Sequence, residues 1–249
     1  MEPFGQAYTQ GRTPSPCIDC NTFLKFGAVW DLLEKELGIV RVATGHYARV
    51  ETSAGKAVLR RAASQARDQS YFLYGVPAER LPHLLLPLGE MDKPQVRALA
   101  REHGLSPAYR PDSMELCFAG EDDYRKALPG EDLLPGPILD LDGQEIGRHE
   151  GIRNFTVGQR RGLGIFRREP LYVLEIRPQD NSVIVGPRAH AYRRRVAAVD
   201  WRALAPDAVF PGASLRGKIR SAGEPAACIV REAEADVLAV DFQEPQFAP

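Results

Sequence analysis

Four cysteines are the residues best suited to chemistry in this chain: Cys17, Cys20, Cys117 and Cys228. Cys17 and Cys20 form a C-x-x-C pair in the stretch Cys-Ile-Asp-Cys-Asn, and such a pair has three uses. A closed zinc site needs four ligands, usually two closely spaced pairs. No second pair exists here, and His46, His83, His103, His149 and His190 are scattered. A thioredoxin-like redox pair sits between a strand and a helix. A helical pattern does follow this pair, and a helix start favours a thiolate, but Gly-Arg-Thr-Pro-Ser-Pro precedes it instead of a strand. The third use sends one sulfur to a partner elsewhere in the chain. Cys117, within Asp-Ser-Met-Glu-Leu-Cys-Phe-Ala-Gly, is either that partner or a buried core cysteine. Cys228, between Ala227 and Ile229, reads as core.

The elements that must hold these residues are partly visible. Residues 22–37 place Phe23, Phe26, Trp30, Leu33 and Leu37 on one helical face, with Asn21 or Thr22 as cap and Gly38 just past the end. A strand-like run over 39–50 breaks at Thr44-Gly45-His46, and 57–62 reads as a hairpin partner across Ser-Ala-Gly-Lys. Residues 92–104 form a punctuated helix, with Asp92 as cap, Pro94 in the first turn and Gly104 after the end. Beyond about residue 130 the pattern changes to short β-rich runs over 170–178, 182–186, 213–220, 226–230 and 236–242, with Asp142-Gly143 as a hairpin turn. The expected class is α/β followed by two small β-rich domains, the last barrel-like. The boundaries fall at 1–128, 129–192 and 193–249.

Net charge is −1, so any nucleic-acid surface must be a local patch. Such patches are Arg160-Arg161, Arg167-Arg168 and Arg193-Arg194-Arg195. Each reads either as a solvated face or as phosphate contact, and the glycines and aromatics of residues 155–168 suit a loop that meets phosphate. No apolar run approaches the roughly 18–20 residues that span a bilayer, and the first residues lack a signal-peptide pattern. A cytoplasmic, reducing compartment and no membrane partner are expected.

Seven segments, in order, resemble the bacterial-type tRNA-specific 2-thiouridylases: GRTPSPCIDCNTFLKF (11–26), ATGHYARV (43–50), ARDQSYFLYGV (66–76), LPLGEMDKPQVRALAREHGL (86–105), DSMELCFAGEDDYRKAL (112–128), PGPILDLDGQEIGRHEGIRNFTVGQRRGLGI (135–165) and DFQEPQFAP (241–249). The resemblance implies 2-thiolation of the wobble uridine, position 34, of tRNA. In that reaction ATP, with Mg2+, adenylates O2 and a persulfide then supplies sulfur. It implies that the first domain is the remainder of a Rossmann-like adenine-nucleotide-binding domain. It makes Cys117 the persulfide carrier, loaded by a sulfur-relay donor protein. Cys20 becomes the nucleophile that attacks the persulfide and leaves a Cys20–Cys117 disulfide for a reductant. Gly45 falls where the family's backbone approaches the nucleotide; on residues alone it is a turn glycine, or one permitting close approach and positive φ. Ser15-Pro16-Cys17 matches the segment beside the target base. Cys17 stands where many members have an acidic residue, and it could also compete for a disulfide with Cys20. Arg67-Asp68-Gln69 matches a tRNA-contacting tripeptide, although Asp68 alone reads as a cap for the turn that follows. Arg220-Ser221 falls where the family has Arg-Tyr. Without the tyrosine, stacking of roughly 1–3 kcal/mol is forgone, while the arginine can still hold a phosphate. No metal site is implied.

The family's Ser-Gly-Gly-x-Asp-Ser pyrophosphate loop does not occur in the sequence, and Ser-Ala-Gly-Lys-Ala-Val (53–58) lacks the spacing of a phosphate-binding loop. The family's pattern continues beyond the stretch that matches Glu244–Pro249, so a shortened far end is expected as well. The sequence therefore leads to the expectation of a shortened thiouridylase that activates uridine poorly by itself, with exposed sheet edges and marginal solubility. Two alternatives accompany it: a non-catalytic tRNA-binding fragment, and a zinc or redox module built on Cys17 and Cys20.

Overall fold

The helix that carries the cysteine pair begins earlier than its apolar periodicity suggests. The computed structural model describes residues 7, 10–12, 14–53, 55–109 and 134–248. Cys117 and the expected strand-like patch over 112–120 lie outside the described residues. Ser15 is extended and precedes helix α1, Pro16–Asp19, so the start is set by Pro16 rather than by Asn21 or Thr22. Proline suits a first turn because its missing N–H has no helical partner there and its φ is already helical. The helix widens over Cys20–Val29 and continues as α2, Trp30–Leu37. Gly27 leaves helical dihedrals inside the wide segment. The freed carbonyls at the break are met by Arg80, whose guanidinium donates to the Phe26 and Gly27 carbonyls and to the Asp31 carboxylate. The same guanidinium lies 5.3 Å from the centroid of the Trp30 ring.

The wide turns shift the phase of the apolar face. Phe26 and Trp30 are buried, whereas Phe23 and Leu37 are 65% and 67% exposed, against the five-residue face that regular 3.6 spacing predicts. Gly38 ends the helix in the left-handed conformation, as its position suggests. Strand β1 (Val42–Ala43) pairs in parallel with β4 (Leu84–Leu85), and β2 (Ala48–Ser53) forms an antiparallel hairpin with β3 (Lys56–Arg61). Helix α3, Lys93–Glu102, carries a full capping box between Asp92 and Gln95. Phe26, Trp30, Ala48, Leu73, Val76, Leu81 and Leu84 form the core of this region.

The next four strands are β5 (Gly136–Leu139), β6 (Glu145–His149), β7 (Leu171–Arg177) and β8 (Ser182–Pro187). They make one sheet in the order β6-β5-β8-β7, with β5 and β8 parallel. The Asp140 carboxylate accepts from the Asp142 and Gln144 amides and so closes the β5–β6 turn. Ile138, Phe155, Leu163, Val173, Val183 and Val185 are its core.

The last sheet contains β9 (Tyr192–Val199), β10 (Ser214–Gly217), β11 (Ala226–Ala233) and β12 (Val237–Phe247), all antiparallel in the order β10-β11-β12-β9. Among the described residues its two outer strands do not pair with each other, so the sheet is open. Cys228 is buried in it, and burial pushes its thiol pKa up, which suits a core residue and not a nucleophile.

Candidate tRNA-facing site

Four stretches that are remote in sequence meet through side-chain hydrogen bonds. Asn21, directly after Cys20, is buried; its amide donates to the Phe72 carbonyl at 2.9 Å, and its oxygen accepts from the Lys25 ammonium at 3.1 Å. Tyr47 and Gln69 bond twice: the Tyr47 amide donates to the Gln69 side-chain oxygen at 2.9 Å, and the Gln69 amide donates to the Tyr47 carbonyl at 2.8 Å. The Tyr71 hydroxyl donates to the Ile219 carbonyl at 3.2 Å, next to Arg220 and Ser221. The turn at 67–72 therefore touches the cysteine helix, the Gly45 loop and the C-terminal sheet region. Residues Asn21, Lys25, Tyr47 and Tyr71 make these links, and no motif in the sequence marks them for that role. The only signal is a polar Asn at the head of an apolar helical run.

Cys20 is partly exposed and Cys17 is exposed, and neither is in a disulfide. They and Ser15-Pro16 occupy the first turns of the helix, and the widened segment begins at Cys20 itself. Among the described residues no group of three or more His, Cys, Asp and Glu residues could hold a metal ion.

Gly45 is exposed and does not have a positive φ, so turn strain is not the reason for glycine there. Among the described residues, a methyl group at Gly45 would meet nothing nearer than a Leu88 methyl at 3.6 Å. The backbone at Gly45 is thus open to a ligand. Two residues on, the Tyr47 hydroxyl is buried with no hydrogen-bond partner among the described residues, a condition that a bound polar group or water would relieve. Thr44 and His46 are linked, hydroxyl oxygen to Nδ1, at 2.9 Å. Burial, and after it the nearby Lys25 charge, lower the His46 pKa to about 4, so its ring is neutral at pH 7.

The predicted tripeptide divides. Arg67 is exposed. The Asp68 side chain is 2% exposed and turned inward. It accepts from the Ala62 amide, the Ser70 amide and hydroxyl, and Arg61. Burial alone would raise its pKa, but these donors outweigh burial and hold the carboxyl below its usual range. Asp68 thus organises the turn, as its cap-like position suggests, and Gln69 ties the turn to Tyr47.

Arg220 is also engaged. Its guanidinium donates to the Val157 carbonyl at 2.9 Å and stands 5.7 Å from the Phe247 ring centroid. Gly158 permits this approach: it has φ +87°, and a Cβ there would lie 2.8 Å from the guanidinium and 3.1 Å from the Phe247 ring. Phe247 in turn meets Tyr172 and Tyr192 edge-on. The last strand is thereby joined to the central sheet and its loop. Ser221 is exposed beside this junction.

The class of the protein is a HUP domain followed by a PRC-barrel domain. Residues 1–121 match the tRNA methyl transferase HUP domain, and residues 127–187 match the tRNA methyl transferase PRC-barrel domain. The chain is 41% identical over 255 residues to the tRNA-specific 2-thiouridylase MnmA of Carboxydothermus hydrogenoformans, covering 100% of this chain and 69% of that protein. It is 41% identical over 234 residues to the Leptospira biflexa protein of the same name, covering 92% and 61%. It is 40% identical over 256 residues to that of Symbiobacterium thermophilum, covering 100% and 65%. The chain belongs to the tRNA-specific 2-thiouridylase family and spans roughly three-fifths to two-thirds of the length of these relatives.

Proposed function

We propose that this chain takes part in 2-thiolation of uridine 34 in tRNA, with Cys20 and Cys117 as its sulfur-transfer pair. The observation that carries the reading is the convergence just described. The helix of Cys20, the Gly45 loop, the 67–72 turn and the Ile219–Ser221 segment are linked to one another by hydrogen bonds. These are the stretches that sequence resemblance assigns separately to sulfur chemistry, nucleotide and tRNA.

In the proposed sequence, ATP with Mg2+ converts O2 of the uridine into an adenylate, with release of pyrophosphate. The open backbone at Gly45 receives the nucleotide. A donor protein has left a terminal sulfur on Cys117. The Cys20 thiolate attacks the inner sulfur of that persulfide; the S–S bond breaks and hydrosulfide leaves. Hydrosulfide adds to C2, AMP departs with the former O2, and a proton is lost. A Cys20–Cys117 disulfide remains, to be reopened by a two-electron dithiol reductant. Ser15, Pro16 and Cys17 lie beside the base, while Arg67, Gln69, Arg220 and Ser221 line the tRNA side. No described helix is long and apolar enough to cross a membrane; the reading places the protein in the cytoplasm.

The test isolates the sulfur step from adenylation. Cys117 is loaded with a persulfide in the full chain, and sulfide release and disulfide formation are followed by mass spectrometry. The unaltered chain should release sulfide and gain a Cys20–Cys117 disulfide, while Cys20→Ser should keep its persulfide. Equal sulfide release from Cys20→Ser would overturn the assignment. Tight tRNA binding with no sulfide release from the unaltered chain would make it a binding protein only.

A further inference from the structure

The loop between Phe155 and β7 carries a feature that the site above does not use. Its inner side is anchored: Leu163 is buried, Ile165 packs against the central core, and Gly158 and Gln159 bond reciprocally with Val173 at 2.7 and 2.9 Å. The Gln159 side chain further accepts from the Thr156 amide and donates to the Arg161 carbonyl. One residue beyond this anchor, Phe166 is 98% exposed, more than any other large apolar side chain described. Arg160, Arg161, Arg167 and Arg168 flank it, and none of their guanidinium groups bonds to a described residue. A single acid, Glu169, closes the run.

A fully exposed phenyl ring costs hydration free energy and adds nothing to the core, while four neighbouring guanidiniums repel one another. Their joint use is a surface for single-stranded nucleic acid, where aromatic rings stack on bases and cations follow the phosphates. We propose that Phe166 is a base-stacking platform for an unpaired nucleotide of the bound RNA, with Arg160, Arg161, Arg167 and Arg168 on the neighbouring phosphates. The proposal rests on the tRNA reading above and adds the kind of nucleotide that this loop takes. Because the loop is fastened by Leu163, Ile165 and Gln159, the ring is presented without an ordering step on binding.

Stacking and ion pairing respond differently to salt, which makes the proposal testable. Fluorescence anisotropy of labelled tRNA with the full chain is measured across a salt series. Phe166→Ala should weaken binding by roughly fivefold to a hundredfold and leave the slope of log K against log salt unchanged. Phe166→Trp should restore affinity, and its added indole emission should be quenched by tRNA but not by a fully paired RNA duplex. Arg167→Gln with Arg168→Gln should instead flatten the slope by about 0.7 for each phosphate no longer neutralised. The ring is wholly exposed, so the thermal transition of Phe166→Ala should match that of the unaltered chain. Binding unchanged in Phe166→Ala, or an equal loss on duplex RNA, would overturn the proposal and leave the ring to a protein partner. If the unaltered chain binds no tRNA, the functional reading falls and this one falls with it. If it binds tRNA and releases sulfide while Phe166→Ala is neutral, only this proposal fails.

Discussion

The amino-terminal and central regions solve the same packing problem in opposite ways. In the central sheet, β8 is buried from Ser182 through Gly186, and its neighbours on both sides complete its hydrogen bonding. In the amino-terminal region the only parallel pairing among the described residues is two residues long, and Leu24, Leu32, Leu37, Val40 and Leu85 remain more than 45% exposed. The central region is fixed by a continuously buried strand paired on both sides; the amino-terminal one is fixed by long-range side-chain bonds such as those of Asn21, Asp68 and Arg80. The proposed chemistry lies in the second kind of region. A fold held by specific polar bonds can set loop positions that apolar pattern alone leaves free.

The sharpest way to break this contrast is to open one core and watch the other. Trp30 is 2% exposed and carries both the Phe26 contact and the Arg80 stack. Trp30→Ala should cost about 3–5 kcal/mol in the amino-terminal region. Amide hydrogen exchange should then show lost protection in β2 and β3, with β5, β7 and β8 still protected. Equal loss in both regions would mean that they unfold as one unit and that the distinction is only descriptive.

Acid offers a milder comparison, since each region holds a neutral histidine turned toward its interior. His149 accepts from the Gly151 amide on Nδ1 and donates from Nε2 to the Asn181 carbonyl, and burial lowers its pKa. His46 is lowered from 6.5 to about 4. A base with a depressed folded pKa takes up its proton more readily in the unfolded chain, so its contribution is complete above the unfolded value and drains away as pH falls. The amino-terminal region should therefore lose stability between about pH 6.5 and 4, and the central region should lose some as pH falls below about 6.5. Because His46 is only half-buried, its share should be about 1 kcal/mol after solvent screening. His46→Gln should flatten the acid slope for the amino-terminal amides alone; a slope unchanged by that substitution would remove His46 as the cause.

Legibility in the sequence follows the same division. The Asp92 cap, Pro94 and Gly104 mark α3, and the Asp142-Gly143 turn marks the β5–β6 hairpin, because each signal is local and its chemistry is complete within a few residues. The parallel pairing of β5 with β8 is not legible, since nothing in either strand names its partner across more than forty residues. The exposure of Phe23 and Leu37 is hidden because periodicity assumes 3.6 residues per turn, and the widened segment from Cys20 breaks that assumption. Candidate site residues such as Cys20, Gly45 and Arg67 are proposed from the sequence because motifs carry them. Asn21, Tyr47 and Tyr71 escape because their roles exist only once the chain has folded back on itself.

The smallest expected effect concerns the joint between the central and last sheets, and it decides what Arg220 is for. Its guanidinium faces the Phe247 ring and donates to the Val157 carbonyl, yet the residue as a whole is exposed. An exposed cation–π contact contributes about 0.5–1 kcal/mol, so Arg220→Ala and Phe247→Leu should each lower stability modestly. If the two groups act through each other, the double variant should be less destabilised than the sum, by about 0.5 kcal/mol, in denaturant melts of the full chain. Arg220→Lys should recover little of the loss, because an ammonium cannot both face the ring and reach the carbonyl as a planar fork does. Additive losses would detach Arg220 from Phe247. Its charge would then be free for phosphate, and Arg220→Ala should in that case lower the salt slope of tRNA binding as an arginine of the Phe166 loop does. Non-additive losses with an unchanged slope would make Arg220 a brace, through Val157 and Gly158, for the base of the loop that presents Phe166.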